Sequence, residues 1–295
     1  MNIPVMFTAI QNKLKECLET TLNESQNSVN VEQIHGGSIN TVYSFCYGAA
    51  KFLVKINENE RFPQLFEKEA AGLSLMAQAS ALVVPKVILY NSTEKFQFLV
   101  LEYLEERTPS EMYWERLGKG LALMHKVSNT SFGLDQDNYI GSISQLNKFR
   151  GTFSEFFVTQ RLEPLISKAI DERYLERNVI RNFERLFQRL DEIIPAEKPA
   201  LLHGDLWSGN IMPVSNGAAV FDPAVYYGHR EADIAMTRLF RGFHDVFYES
   251  YNAEFPLEKN WEKRQSIFNL YPLLVHVHLF GGSYIGDVKT IISYY

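Results

Sequence analysis

Strand-like and helix-like segments are segregated along this chain, and this order constrains its fold more than any other feature. After an amphipathic helical pattern at residues 5–22, the first third shows β-rich runs with a hairpin pattern around Gly48. Predicted strands cover 42–47, 51–56, 83–90 and 96–101, with a helix at 65–79. Helical periodicity dominates from residue 111 onward, with helices predicted at 111–127, 154–170, 174–193, 231–250 and 261–279 and one island of strand at 200–222. Such segregation indicates an α+β fold rather than an alternating parallel sheet.

The length and composition suit a packed globular chain. Its 295 residues fit one large domain or two intimately packed lobes, and 46% of them are hydrophobic against 22% charged. We place the boundary near Leu104–Thr108, which gives an N-terminal lobe at 1–104 and a C-terminal lobe at 105–295.

Charge and cysteine content limit the classes of partner. A net charge of -6 argues against nucleic acid, because phosphate binding needs a basic surface. Cys17 and Cys46 provide neither a disulfide framework nor a thiolate metal site, and they suit a reducing compartment. The first residues lack the basic and apolar regions of a signal peptide, and no apolar stretch is long enough to span a bilayer. We therefore expect a cytoplasmic protein with no nucleic-acid and no membrane partner.

The segment from Leu201 to Asn210 carries the most specific chemistry. His203, Asp205 and Asn210 have the spacing H-x-D-x-x-x-x-N. This is the spacing of a kinase catalytic loop, in which the aspartate orients the attacking hydroxyl and the asparagine binds a metal ion. We interpret Asp205 as the catalytic residue and His203 as a structural residue that hydrogen-bonds near the loop.

A predicted hairpin brings a second acidic residue to the same place. Asn216-Gly217 is a signal for a type I′ turn, which would set Ile211 opposite Asp222. Asn210 and Asp222 would then lie side by side as oxygen ligands for Mg²⁺. The alternative is that these are ordinary turn residues, and the spacing together with the hairpin favours the metal site.

The first third supplies a candidate nucleotide site. Gly36, Gly37 and Ser38 lie between strand-like runs, where backbone N–H groups can approach phosphates closely, although Gly-Gly is more often a plain turn. Lys55 ends a strand that resembles the V-A-I-K strand of kinases. Glu69 lies on the apolar face of the following helix, where a carboxylate needs a cation, so we predict a Lys55–Glu69 ion pair.

By analogy with kinases, residues Glu102, Tyr103 and Leu104 would link the lobes and offer backbone groups to the adenine edge. A kinase of this kind uses ATP and Mg²⁺.

Several segments resemble the fructosamine kinase (ketosamine-3-kinase) family, a branch near the aminoglycoside and choline phosphotransferases. The resemblance runs from about Ile34 to Tyr284, and its most specific part is Asp222–Asp233. Other matching segments are 132–134, 137–141, 160–164 and 203–210. The resemblance implies a bilobal protein-kinase-like fold and ATP-dependent phosphorylation of the 3-hydroxyl of ketosamines, on free amines or on glycated lysines of proteins, which promotes deglycation.

The substrate side is less constrained by the sequence. A ketosamine carries a cationic amine, which Trp207 could bind by a cation–π contact, or Trp207 could be a core residue that joins the loop to a helix. We interpret Arg161, Arg230 and Asp233 as structural. His276 and His278 might suggest a metal site, but residues two apart do not share a helix face, so we interpret both as packed helix residues. We interpret His125 as a packed helix residue as well. Arg241 and the His276 region depart from the family pattern.

Three alternatives stay open at this point. A kinase for another small amine or sugar, of the aminoglycoside or choline type, uses the same chemistry. A catalytically silent nucleotide-binding module would be expected to lack Lys55, Asp205, Asn210 or Asp222, and all are present. A protein kinase is disfavoured because D-F-G, A-P-E and an activation segment are missing.

Overall fold

A computed structural model describes residues 5–24, 29–34, 39–79, 82–240 and 242–295. The N-terminal part is built on an antiparallel sheet of five strands in the order β1-β2-β3-β5-β4. Its strands are β1 (Val29–Ile34), β2 (Thr41–Tyr47), β3 (Ala50–Glu58), β4 (Val87–Ser92) and β5 (Phe96–Glu102). The predicted hairpin is β2–β3, in which Tyr47 pairs with Ala50 across a turn at Gly48, whose φ is +62°.

Two helices cover this sheet on opposite faces. Helix α1 (Val5–Leu22) buries the apolar positions Phe7, Ile10, Leu14 and Leu18 in a core with β2, β3 and β5. Helix α2 (Leu65–Ala79) buries Phe66, Leu73 and Met76 in a different core, which also contains Leu99 and Leu101 of β5. The spacing of three, four and seven residues between these positions is what a helix needs to present one apolar face.

The C-terminal part is mainly helical. Its helices are α3 (Tyr113–His125), α4 (Phe153–Phe156), a π turn (Phe157–Leu162), α5 (Glu163–Asp171), α6 (Ile180–Ile193), α7 (Glu231–Leu239), α8 (Asp245–Glu254), α9 (Trp261–Phe280) and α10 (Ile285–Ile292). Three short antiparallel strand pairs accompany them, formed by β6 (Asn138–Ile140) with β7 (Ile143–Gln145), β8 (Ala200–Leu202) with β11 (Tyr226–Gly228), and β9 (Ile211–Val214) with β10 (Gly217–Val220). The architecture is the α+β arrangement that the sequence predicts.

One hydrophobic core joins the two parts. It includes Leu73 of α2 and Leu99 of β5 together with Leu121 of α3 and Phe247 of α8. A second core lies wholly within the C-terminal part, around Phe156, Phe268 and Leu274. Among the described residues, no helix combines the length and apolar character needed to cross a membrane.

The structure corrects several predicted boundaries. The helix predicted at 231–250 is two helices. The backbone is extended at Phe240 and left-handed at Gly242 (φ +50°), and His244 then caps the start of α8. The strand predicted at 83–90 begins only at Val87, since Val83 instead bridges to Ala219 of β10. The helix predicted at 174–193 begins at Ile180 after a short turn at Arg177–Val179. Strands β6, β7 and β11 and helix α10 were not predicted.

The predicted register of the β9–β10 hairpin is wrong. Val214 pairs with Gly217 and Ile211 with Val220, so the turn residues are Ser215 and Asn216. Neither has the positive φ that a type I′ turn requires. The amide of Phe221 still donates to the carbonyl of Asn210 at 3.1 Å. Phe221 therefore lies beside Asn210, and Asp222 is the next residue along the chain.

Candidate active site

A buried carboxylate fixes the start of the loop that follows β8. Asp233, in the first turn of α7, accepts hydrogen bonds from the backbone amides of His203 at 2.7 Å and Gly204 at 2.9 Å. His125 lies 3.2 Å from the same carboxylate, and its other ring nitrogen lies 2.7 Å from the Tyr251 hydroxyl. Burial alone would raise the pKa of Asp233, but the hydrogen bond and charge of His125 and the backbone donor outweigh it and lower that pKa. The carboxylate therefore stays charged and holds the loop in place.

Gly204 allows the loop to approach the segment after β10. Its φ is +81°, and a Cβ there would lie 2.0 Å from the carbonyl oxygen of Ala224. The amide of Ala224 donates to the His203 carbonyl at 2.9 Å, and His203 Nε2 lies 3.0 Å from the Phe221 carbonyl. Burial lowers the pKa of His203, so its ring is neutral. His203 has the structural position that the sequence predicts.

Asp205 and Asn210 meet across the loop. The Asn210 side-chain amide donates to Asp205 Oδ2 at 2.9 Å and to the Asp205 carbonyl at 2.8 Å. Burial raises the pKa of Asp205 to about 7; the Asn210 hydrogen bond opposes this, and the negative charges of Asp222 and Asp233 add to it. A carboxyl group that titrates near neutral pH is suited to accept a proton.

A lysine and two carboxylates converge in front of this loop. Lys55 Nζ lies 2.5 Å from Glu69 Oε1 and also contacts Asp222 Oδ1, so the predicted Lys55–Glu69 ion pair is present. Burial would lower the pKa of Lys55, but the two carboxylates outweigh it and raise that pKa, which keeps the ammonium charged. Asp222 itself has a φ of +57°, and its side chain is 46% exposed. Non-glycine residues rarely adopt this conformation outside functional sites and turns.

A cleft of about 540 Å³ contains almost all the predicted site residues. Its lining includes Lys55, Glu69, Glu102, Tyr103, Leu104, Asp205, Trp207, Asn210 and Asp222. The predicted loop residues Gly36, Gly37 and Ser38 lie outside the described residues, as does Arg241. The amide of Glu102 already donates to the Lys86 carbonyl at 2.9 Å, so an adenine ring in this cleft needs other backbone groups of 102–104.

Trp207 belongs to the cleft and not to a core. Its side chain is exposed, at 37% of its full area, and its ring contacts Phe240 edge-on at 6.2 Å between centroids. Phe240 in turn lies 4.8 Å from the ring of His276. The alternative of a core tryptophan is therefore wrong. The sequence does not reveal Phe240 and His276 as neighbours of Trp207, because Phe240 follows the end of α7 and His276 lies on α9, both distant along the chain.

The residues interpreted as structural have polar partners in the structure. Arg161 is fully buried and donates to Asn147 Oδ1 at 2.8 Å, with its guanidinium 4.1 Å from the centre of the Tyr226 ring. Arg230 forms a two-point ion pair with Glu197 at 2.8 Å, rather than with Asp233. His278 lies 2.7 Å from Glu172.

Asn210 and Asp222 could supply Mg²⁺ with two protein ligands. Asn210 and Asp222 offer amide and carboxylate oxygens, which Mg²⁺ prefers. In the part of the chain that the structure describes, no group of three or more His, Cys, Asp or Glu side chains could hold a metal ion. A site with two protein ligands suits Mg²⁺, which keeps waters and takes phosphate oxygens.

Comparison with known proteins identifies the family. The sequence profile described as fructosamine kinase matches residues 6–295. A protein from Vibrio parahaemolyticus named "Probable ketoamine kinase" is 36% identical over 297 residues, covering 98% of this chain and 100% of its own. One with the same name from Synechocystis is 36% identical over 264 residues, covering 88% of each. This chain belongs to the fructosamine kinase family.

Solved structures agree with this assignment. A candidate fructosamine-3-kinase from Thermobifida fusca superposes with a TM-score of 0.86 at 32% identity, covering 96% of this chain and 98% of its own. An aminoglycoside phosphotransferase superposes with a TM-score of 0.62 at 16% identity, covering 94% of this chain and 98% of its own, which shows the shared fold alone. The chain therefore has the protein-kinase-like fold, and the family to which it belongs is one of kinases.

Proposed function

We propose that this kinase transfers the γ-phosphoryl group of ATP to the 3-hydroxyl of a ketosamine. The observation that carries the proposal is the position of Asp205, which lies in the cleft on a kinase-type loop, hydrogen-bonded to Asn210 and with a pKa near neutrality. Its carboxylate would orient the sugar hydroxyl and accept its proton as the oxygen–phosphorus bond forms and ADP leaves. The relatives carry the name "Probable ketoamine kinase", which supports the choice of substrate.

The nucleotide would be bound by groups on both sides of the cleft. Lys55, held by Glu69, is placed to contact phosphates, and residues 102–104 would contact the adenine edge. Asn210 and Asp222 would hold Mg²⁺, which when bound neutralises charge on the phosphate oxygens. The solved aminoglycoside phosphotransferase is a complex with AMP-PNP, which supports nucleotide binding in this fold.

The amine part of the substrate would lie against Trp207. A secondary amine next to the sugar is cationic near neutral pH, and the exposed indole face offers a cation–π contact worth about 0.5–2 kcal/mol. Phe240 and His276 extend this aromatic surface. The substrate would be a free ketosamine or a glycated lysine of a protein.

Phosphorylation at carbon 3 would promote deglycation. The phosphate lies next to the carbon 2 ketone, so loss of a proton from carbon 1 allows the phosphate to leave carbon 3. Water then hydrolyses the resulting imine and releases the unmodified amine together with a dicarbonyl sugar. The enzyme need only place the phosphate, a task for positioning and electrostatics.

The test is ADP release with Mg²⁺-ATP in the presence of fructosamine, ribulosamine, free sugars, choline or an aminoglycoside. We expect ketosamines alone to stimulate turnover. Asp205→Asn should lower kcat by about 10²–10⁴-fold while ATP still binds, because it removes only the proton acceptor. Stimulation by choline or an aminoglycoside instead would contradict the substrate class, and ATP binding without turnover on any acceptor would favour a silent nucleotide-binding module.

A further inference from the structure

The contact of Lys55 with Glu69 and Asp222 joins three separate elements. Lys55 is on β3, Glu69 is on α2, and Asp222 is on the irregular segment after β10. Two carboxylates near one ammonium repel each other, and the left-handed φ of Asp222 costs conformational energy. Both α2 and the 222–225 segment must therefore be held in position by other contacts.

The β6–β7 hairpin supplies such contacts to the 222–225 segment. Asn138 Nδ2 donates to the Val225 carbonyl at 2.9 Å, and Gln145 Nε2 donates to the Ala224 carbonyl at 3.0 Å. The same Gln145 amide donates to Asn138 Oδ1 at 2.8 Å. Both side chains are buried, so these hydrogen bonds are not exchanged with water.

The hairpin is itself anchored in the C-terminal core. The Tyr271 hydroxyl of α9 donates to Gln145 Oε1 at 2.9 Å. Asn147 Nδ2 donates to Asn138 Oδ1 at 2.9 Å, and its own oxygen accepts from Arg161 at 2.8 Å. Apart from Arg161 Nε, the buried side-chain nitrogens and oxygens of this network have hydrogen-bond partners. The network is therefore rigid, because a displacement would leave these polar groups unpaired.

The opposite face of strand β6 contacts the segment just before α2 and the first turn of α2. Successive residues of a strand point to opposite faces, so Tyr139 faces away from the Asn138 network. Its hydroxyl donates to the Pro63 carbonyl at 3.1 Å, and its ring meets Phe62 edge-on at 6.1 Å between centroids. Lys68, the neighbour of Glu69 on α2, places Nζ 5.1 Å from the centre of the Tyr139 ring.

Helix α2 and the 222–225 segment also touch directly. A Cβ built on Gly72 would lie 3.1 Å from Val225 Cγ2, which is a close approach. Lys68 and Gly72 are four residues apart on the helix that carries Glu69, so Tyr139 and Val225 pack against the same face of that helix.

We propose that the β6–β7 hairpin is a permanent clamp that keeps Lys55, Glu69 and Asp222 assembled, with Tyr139 and Gln145 as positioning residues. Protein kinases place the corresponding helix and aspartate through a switchable activation segment, which this sequence lacks. A fixed hairpin would keep this chain active without such a switch. The catalytic part of this inference rests on the proposed phosphoryl transfer.

The first test compares Tyr139→Ala, Tyr139→Phe and Tyr174→Ala. Tyr174 is a half-buried tyrosine outside the cleft, so its variant controls for the loss of a ring. Tyr139→Ala should lower kcat/KM for ATP by about ten- to a hundredfold and leave KM for the ketosamine unchanged. Tyr139→Phe keeps the ring contacts and should retain most of the activity. A ketosamine KM that rises with the ATP effect, or an equal loss in Tyr174→Ala, would overturn the clamp.

Hydrogen exchange tests the clamp without turnover. In Tyr139→Ala, amides of residues 65–79 and 224–226 should exchange faster, while those of α6 stay at the wild-type rate. Uniform acceleration across the chain, or unchanged exchange in α2, would overturn the proposal. Since this readout needs no acceptor, it holds even if the substrate is not a ketosamine.

A double-mutant cycle with Glu69→Gln separates positioning from structure. If Tyr139 acts through Glu69, Tyr139→Ala should lower kcat/KM for ATP by less than about threefold once Glu69 is already replaced. Full additivity of the two losses would show that Tyr139 does not act through Glu69.

Discussion

At the scale of single residues, the ionisation of Asp205 links the cleft to the stability of the chain. Its pKa is raised from 3.8 to about 7, mainly by burial. Between these values the folded state binds more protons at this residue than the unfolded state does. The stabilisation that Asp205 contributes is therefore fully present below its unfolded-state pKa of 3.8 and is lost as the pH rises through about 7. This is the opposite of the usual behaviour of an aspartate.

The first prediction follows from this direction of the pH dependence of stability. Asp205→Asn removes the ionisation and should raise the melting temperature at pH 8 by a few degrees relative to wild type, with a smaller difference at pH 5. Thermal unfolding at both pH values checks it. A difference that is larger at pH 5 would show that the pKa is lowered in the folded state.

The second prediction concerns Lys55. Lys55→Met leaves the carboxylates of Glu69 and Asp222 without their cation, and it removes the contact to the phosphates. We expect kcat/KM for ATP to fall about 100-fold or more, chiefly through KM. Lys95→Met, at an exposed lysine before β5, is the matched control and should have wild-type kinetics. Equal kinetics of the two variants would remove Lys55 from the nucleotide site.

At the scale of elements, the sequence predicted those whose signal is local. Helix α2 at 65–79 and strand β5 from Phe96 have the predicted limits within a residue, because apolar periodicity alone defines them. The Lys55–Glu69 pair was also predictable, since a carboxylate on a buried helix face needs a cation.

Elements that depend on distant partners were not predicted. Strands β6 and β7 have three residues each, too few for a periodic pattern, and Asn138 and Gln145 are polar yet buried because their partners come from 224–225 and α9. The break between α7 and α8 depends on Gly242, and one glycine inside a helical pattern is ambiguous. The sequence could not decide whether Trp207 lies in an exposed cleft or in a core, since a tryptophan suits both environments.

The third prediction tests the anchor of the β6–β7 hairpin. Arg161→Met should lower the free energy of unfolding by about 2–3 kcal/mol, because Asn147 Oδ1 and the Leu146 carbonyl lose a charged donor inside the core. Arg181→Met, on the exposed side of α6, should change it by less than about 0.5 kcal/mol. Denaturant unfolding of both variants decides whether the buried arginine stabilises the fold.

At the scale of the whole molecule, the cleft lies where the sheet part and the helical part meet. A core with residues from α2, β5, α3 and α8 joins them, so the two parts are packed together rather than tethered. The division into lobes at 1–104 and 105–295 stays a prediction, as do the sites of Gly36, Gly37 and Ser38. The kinase fold and the family are established by the match over residues 6–295 and by the superposition with a TM-score of 0.86.

The central claim is that phosphate is placed on the 3-hydroxyl of a ketosamine. The most direct measurement is phosphorus–proton NMR of the product formed from fructosamine and ATP, beside the same reaction with the 3-O-methyl analogue. The account predicts coupling of the phosphorus to the proton on carbon 3 and no product from the analogue. Phosphate on another hydroxyl, or equal turnover of the analogue, would contradict it.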